Sequence, residues 1–189
     1  GKRKIRYIVD MASQPKYTLA RINRGEWDRG WEEPPWSDRP ILPISLFHPT
    51  SSPHRPRTEA KLAYDRTGLS VFFRVEDRFV RAVNTRPQGP VCKDSCVEFF
   101  FEPQGRPGYF NLEINCGGIP LMFFVRYPKQ PGAASQVTPL TAAQLRRIAI
   151  QSALPPFIPI ELRRPLTLWI LARLPFLVLE EFLGPLGAL

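Results

Sequence analysis

The chain has 189 residues, a formal net charge of +9 from 26 Lys and Arg against 17 Asp and Glu, 43% hydrophobic residues and 12% aromatics. Such a composition excludes a disordered or fibrous chain and fits one globular domain able to bury its own core. With 22 prolines against 12 glycines, loops and strand edges are favoured over long helices, because proline removes a backbone donor and fixes φ.

From the N-terminus to about Pro40 the sequence is loop-like. Trp27, Trp31 and Trp36 stand there among Gly, Pro and acidic residues, which reads as a lid packed over one end of a core. The basic run Gly1–Arg6 is not followed by the apolar stretch of a signal peptide. Ile41–Phe47 reads as a strand, and a Pro/Ser-rich loop follows it. Residues 58–126 then read as five consecutive strands by their alternation. Asp65-Arg66-Thr67-Gly68 is a tight turn between the first two.

One parity of these strands collects Ala60, Leu62, Val71, Phe73, Val75, Val97, Phe99, Phe110, Leu112 and Ile114, the core of a sandwich. The other collects Lys61, Phe72, Arg74, Glu76, Glu98, Phe100, Asn111, Glu113, Asn115, Phe124 and Arg126, with Met122 beside Phe124. Asp77 to Asp94 breaks the alternation and reads as a long connection, and Gln130–Thr141 as a second loop. Ala142–Arg147 starts a short helix with Thr141 as N-cap. Ile148–Leu154, Ile158–Leu162 and Leu166–Arg173 resume strand-like runs. Pro175–Gly184 has the spacing of a short helix with proline at its start and glycine at its end. Leu166–Leu189 is apolar, but Arg173, Glu180, Glu181 and prolines interrupt it, so no membrane span is expected. The expectation is an all-β antiparallel β-sandwich with jelly-roll or immunoglobulin-like layering, long loops and one or two short helices. It forms a single domain over 1–189, with 1–40 packing on it.

The positive charge is scattered over Gly1–Arg6, His54–Arg57, Arg146–Arg147 and Arg163–Arg164, and no nucleic-acid-binding motif accompanies it, so specific nucleic-acid binding is not expected. The three cysteines, Cys92, Cys96 and Cys116, have only His48 and His54 as histidine company and make no zinc pattern. A symmetric turn between Glu102 and Tyr109 puts Cys96 opposite Asn115 and Cys116 opposite Ser95. The two thiols then point to opposite faces and stay free.

The same turn sets Glu98 opposite Glu113, and like charges so placed need compensation. Three readings compete. Arg74 and Arg126, on the same parity, pair with them as a surface network, which is the simplest. A cation such as Ca²⁺ sits nearby, with Glu76, Asp77 and Asp94 as ligands, although no Ca²⁺ loop motif is present. Or the two carboxyls form the acid/nucleophile pair of a retaining glycosidase, whose carboxyls lie roughly 5 Å apart. The sequence holds no GxSxG, GxxxxGK[ST] or HExxH pattern, and His48 and His54 read as ordinary loop histidines. A face that mixes carboxylates, amides, guanidinium groups and rings suits sugars, since rings stack on C–H faces and planar polar groups bond hydroxyls. A haem-binding electron-transfer sandwich with Met11 or Met122 as ligand is the reading from another class.

The runs GLSVFFRVEDRFVRA, VCKDSCVEFFFEP and GYFNLEINCGG, with the upstream WEEPPW and RPRTEAKLAYD, resemble carbohydrate-binding module family 9 over nearly the whole chain. The resemblance implies a two-sheet sandwich that binds oligo- or polysaccharide without catalysis, as an accessory to a glycoside hydrolase in polysaccharide degradation. It also implies tryptophans that clamp terminal sugars, structural calcium, and an extracellular or periplasmic monomer. Asp94 and Glu98 match the family's D-x-x-x-E, Glu113 and Asn115 its N-x-E-x-N strand, and Trp31 and Trp36 its W-x-x-x-x-W. The family continues with further tryptophan-containing strands where this sequence ends at Leu189, and Trp169 is the late tryptophan present. The expected sugar-binding set is Trp31, Trp36, Arg74, Glu98, Asn111, Glu113, Asn115 and Trp169. The expected metal set is Glu76, Asp77 and Asp94.

Overall fold

The computed structural model describes residues 16–47, 49–128, 130 and 132–186. Gly1–Arg6, Met11, His48, Pro131 and Leu189 lie outside the described residues. Two sheets face each other. The larger contains β1 (Ala20–Arg21), β2 (Leu42–Ile44), β3 (Arg57–Asp65), β4 (Gly68–Ala82), β9 (Ala149–Ser152) and β10 (Ile158–Pro175). Its order is β1-β3-β4-β10-β9, with β2 also on β3. The smaller contains β5 (Cys96–Phe101), β6 (Gly108–Asn115), β7 (Pro120–Arg126) and β8 (Gln136–Pro139), in chain order. Pairing is antiparallel except for the two-residue contact of β1 with β3. The expected β-sandwich is therefore the observed one.

The core between the sheets is built from the expected parity. Val71, Phe73, Val75, Val97, Phe110, Leu112, Ile114, Leu168 and Ile170 are all buried in it. The β5–β6 register pairs Cys96 with Asn115 and Glu98 with Glu113, as the symmetric turn requires. Helix α1 (Ala142–Leu145) carries a capping box in which Thr141 and Gln144 satisfy each other's backbone. Helix α2 (Phe176–Leu183) follows Pro175 and stops at Gly184, whose φ of +73° a side chain would resist. It buries Val178, Leu179 and Leu183 over one end of the core, with Phe182 edge-on to Phe110 at 5.7 Å.

Four expectations change. The segment Gln130–Thr141, read as a loop, contains strand β8, held by antiparallel pairing of Gln136–Pro139 with β7. β4 runs through Ala82, so the first third of the supposed Asp77–Asp94 loop is strand, held by pairing of Phe79, Val80 and Ala82 with β10. β10 is one strand of 18 residues, and its internal prolines fall at register irregularities between Ile158/Leu162 and Arg163/Leu166. Phe124 and Met122 face inward, opposite Phe110 and Leu112, and are 2% and 0% exposed. A methionine sealed in the core offers haem no ligand, which overturns the reading based on Met122. The apolar stretch after Leu166 is strand and then an eight-residue helix, and no described helix is long and apolar enough to cross a membrane.

The β3–β4 hairpin is clamped to β10 by a buried ion pair. Arg173 Nη2 donates to Asp65 Oδ1 and Oδ2 at 2.8 and 2.7 Å, and the Thr67 amide and hydroxyl donate to the same carboxylate. Gly68 is required beside it, because a Cβ would collide with the Arg173 guanidinium and the Leu174 carbonyl. Burial pushes the Asp65 carboxyl up, but the Thr67 hydrogen bonds and the Arg173 charge outweigh it and hold the carboxyl below its ordinary value. A carboxyl lowered in the fold contributes its stability fully above its unfolded value, near pH 4, and loses it as pH falls through the folded one. Asp65→Asn is expected to cost about 3–5 kcal/mol at neutral pH by stranding Arg173. In urea unfolding, its deficit relative to wild type should shrink as the pH falls below about 4.

Candidate functional site

The two outer faces of the sandwich differ. On the larger sheet, the N-terminal segment folds down as a lid. Ile22, Trp31 and Trp36 form a second core with Ala63, Phe72 and Leu171, and Trp27 and Trp169 pack at its margin. Trp36 is 0% exposed, meets Phe72 edge-on at 5.3 Å, and donates its Nε1–H to the Trp27 carbonyl at 2.8 Å. Trp31 also meets Phe72 edge-on, and its ring is covered by Lys61 Nζ at 4.3 Å and Arg74 at 4.9 Å. Lys61 in turn donates to the Trp31 carbonyl. Burial lowers the Lys61 ammonium from its ordinary value.

Four of the expected sugar contacts are thus engaged in packing or ion pairs. Trp31 and Trp36 fill the lid core, and Trp169 sits half-buried 5.9 Å edge-on from Phe72. Arg74 is held by Glu59 at 2.7 Å and Glu32 at 2.8 Å. Burial raises the Glu59 carboxyl, yet hydrogen bonds from Arg74 and Arg57 bring it below its usual value. Arg74 and Glu98 share a parity but belong to different sheets, on opposite sides of the molecule. Arg126 lies over Phe124 and donates to the Phe182 carbonyl. The surface network expected to neutralise Glu98 and Glu113 therefore does not form.

Asn115 is a fifth engaged residue. It is 0% exposed, donates to the Asn84 carbonyl and Asp94 Oδ2, and accepts from the Gly117 and Ile119 amides. The metal set is dispersed as well. Glu76 is bonded by Arg57, Asp77 by His54 Nε2 at 2.8 Å, and Asp94 by Asn115 and the Asn84 amide. These three carboxylates do not gather into the oxygen cage that Ca²⁺ requires.

The outer face of the smaller sheet is where polar and aromatic groups stand ready. Its rows are Cys96–Asn115, Glu98–Glu113–Leu121, Phe100–Asn111–Phe123–Pro139 and Tyr109–Val125–Val137. Phe100 is 52% exposed, and the rings of Phe100, Tyr109 and Tyr127 follow one another at 6.3 and 6.1 Å. Tyr127 donates to Glu102 at 2.6 Å, which pushes its hydroxyl up to about 12. Asn111 Nδ2 donates to Glu113 Oε1 at 3.1 Å. Asn111 Oδ1 and Glu113 Oε2 are buried with no hydrogen-bond partner. Burial raises the Glu98 carboxyl, and the Glu113 charge raises it further. At the β5 edge this face meets a cleft of about 610 Å³ between the sheets, whose lining includes Glu98, Asp94, Lys93, Arg81, His54 and Phe79.

Glu98, Asn111 and Glu113 lie together on this face, as their parity led us to expect, and Tyr109, Tyr127 and Phe123, which were not among the expected residues, stand beside them. Tyr109 was available from parity, since it precedes inward Phe110. Phe123 was hidden because β7 is apolar on both faces. The cysteines behave as expected: all three are free, with Cys96 on this face and Cys116 in the core, where burial pushes its thiol up to about 11.

The family model for carbohydrate-binding family 9 matches residues 40–146. The fold resembles that of a Bacteroides uniformis ATCC 8492 protein to which carbohydrate binding is ascribed. The TM-score is 0.76 at 21% identity, covering 90% of this chain and 76% of that one. A carbohydrate binding module family 9 from Caldicellulosiruptor kristjanssonii is similar at a TM-score of 0.49 in complex with cellotriose. Identity is 14%, and 83% of this chain and 65% of that one are covered. The same organism's module in complex with glucose gives 0.46 at 15% identity, covering 76% and 60%. A search of curated proteins finds no match.

Scaffold and surface residues should separate in unfolding experiments. Trp36→Ala is expected to cost about 3–5 kcal/mol as a core truncation. Asn115→Ala should cost at least about 2 kcal/mol by orphaning buried donors and acceptors. Phe100→Ala should change stability by less than about 1 kcal/mol. Denaturant midpoints of the three variants check this ranking.

Proposed function

This chain belongs to carbohydrate-binding family 9, and on that premise we propose that it binds oligo- or polysaccharide on the outer face of the smaller sheet. The observation that carries the placement is the strip of Phe100, Tyr109 and Tyr127 alongside Asn111, whose Oδ1 is buried without a partner. Exposed rings cover the apolar C–H faces of a pyranose. A planar amide offers a donor and an acceptor to vicinal hydroxyls, and an acceptor already removed from water gains most from such a bond.

The role is binding rather than hydrolysis. Glu98 lines the cleft between the sheets but Glu113 does not, whereas a glycosidase pair flanks a ring that the cleft encloses and distorts. The same reading makes the chain a monomeric accessory module that brings a glycoside hydrolase to its polysaccharide, outside the cytoplasm. Family 9 membership supports it, as does a preformed face that needs no activated acid or nucleophile.

Affinity electrophoresis in soluble polysaccharides, followed by calorimetry with the oligosaccharides of any that retard the chain, tests the placement. Phe100→Ala and Tyr109→Ala are each expected to weaken binding about tenfold, the ~1.4 kcal/mol that a stacked ring contributes. Asn111→Ala should weaken it comparably. No reducing sugar should be released by the wild type. Binding undiminished in all three variants would remove the site from this face. Turnover lost in Glu98→Gln would replace the binding role with an enzymatic one.

A further inference from the structure

Cys96 and Glu98 stand two residues apart on the same side of β5, and Glu113 faces Glu98 from β6. One donor atom from each of the three lies within 4.8 Å of the other two. Glu113 is only 9% exposed, and its Oε2 is buried with no hydrogen-bond partner. Among the described residues, no Lys, Arg or His forms an ion pair with Glu98 or Glu113. An anionic oxygen without a donor, removed from water and facing a second carboxylate, is unfavourable on both counts. A cation relieves both.

We propose that Cys96, Glu98 and Glu113 bind a divalent transition-metal cation, Zn²⁺ foremost, through the thiolate and one oxygen of each carboxylate. The donor set chooses the metal. A thiolate is a soft ligand suited to zinc, whereas Ca²⁺ takes six to eight oxygens that these residues do not supply. Zinc holds sulfur at about 2.3 Å and carboxylate oxygen at about 2.0–2.2 Å, so tetrahedral donors sit roughly 3.3–3.8 Å apart. Each pair here, within 4.8 Å, stands at most about 1–1.5 Å beyond that spacing, and the Glu98 side chain is exposed and free to move toward the other two. Binding exchanges the thiol proton for the metal: Cys–SH and M²⁺ give Cys–S–M⁺ and H⁺, the proton leaving to buffer. Three protein ligands leave the fourth position to water.

The antiparallel ladder fixes the spacing of all three residues, so the site needs no loop to order itself. The sequence hides it, because a C-x3-C run directs attention to histidine or further cysteine. The partners here are carboxylates that arrive across the hairpin. The inference stands apart from the sugar reading and is measured without sugar.

The untagged chain, stripped with EDTA and titrated with ZnCl₂ in a calorimeter, is expected to bind one Zn²⁺. Cys96→Ser, Glu98→Gln and Glu113→Gln should each weaken this by at least the roughly 10–100-fold that losing even an outer partner of a metal ligand costs. Cys92→Ser should leave it unchanged. With CoCl₂ in place of zinc, a thiolate-to-cobalt charge-transfer band should appear in the wild type and in Cys92→Ser and vanish in Cys96→Ser. Urea unfolding of every variant confirms a folded state, and Glu98→Gln, at an exposed position, keeps the test open if Glu113→Gln does not fold. No stoichiometric zinc binding, the outcome if the carboxyls merely share a proton, overturns the proposal. So does zinc binding undiminished in Cys96→Ser and Glu98→Gln.

Discussion

Burial of the β4–β10 pair on both of its faces is the constraint on which the rest of this structure depends. Inward, Val71, Phe73, Leu168 and Ile170 meet the smaller sheet; outward, Phe72 and Leu171 lie beneath the tryptophan lid. A strand buried on both sides must be apolar at consecutive positions, and Val71-Phe72-Phe73 is. A bare outer face carrying Phe72 and Leu171 would be an exposed hydrophobic patch on the long central strands. The N-terminal segment removes it, and in doing so commits Trp31 and Trp36 to packing. With the larger sheet closed, the outer face of the smaller one is left to present rings and acids.

The way each face treats its charges follows from that division. On the covered face, the buried carboxylates and Lys61 have built partners, although Arg173 Nη1 has none. Glu59 sits between Arg57 and Arg74, Lys61 rests on the Trp31 ring and carbonyl, and Asp65 closes on Arg173. Such pairs register the lid and the hairpin against the sheet more than they add net stability, because desolvation offsets much of the attraction. On the other face, Glu98 and Glu113 confront each other and Asn111 Oδ1 is unsatisfied. That contrast is what supports the proposed placement of sugar binding on the open side.

Much of this was legible in the sequence where a local rule carried the information. The β5–β6 register followed from the turn between Glu102 and Tyr109, and α2 from Pro175 and Gly184, because each is set by residues a few positions apart. What could not be read is tertiary. Parity tells inside from outside but not which sheet a strand joins, so Arg74 and Glu98 seemed to share a surface when they lie on opposite ones. Phe123 and Phe124 are adjacent and equally apolar, and only the pairing of β7 with β6 decides that Phe124 enters the core. The fate of Trp31 and Trp36 depends on a lid whose docking leaves no periodic mark in the sequence.

The division of labour between faces also determines what kind of ligand contact the molecule can make. Trp31 and Trp36 could reach a sugar only by undocking, which would expose Phe72 and strip Lys61 and Arg74 of the ring they cover. The loss of a second core is too large a cost for shallow stacking contacts, each worth about 0.5–1.5 kcal/mol, to offset. Rings already exposed on β5, β6 and just beyond β7 need no such rearrangement. Their backbone is fixed by the ladder, so binding there orders little beyond side chains. On the proposed placement, stability and recognition are carried by different sheets, and substitutions on the open face retune the ligand while the lid, the hairpin clamp and the core stay as they are.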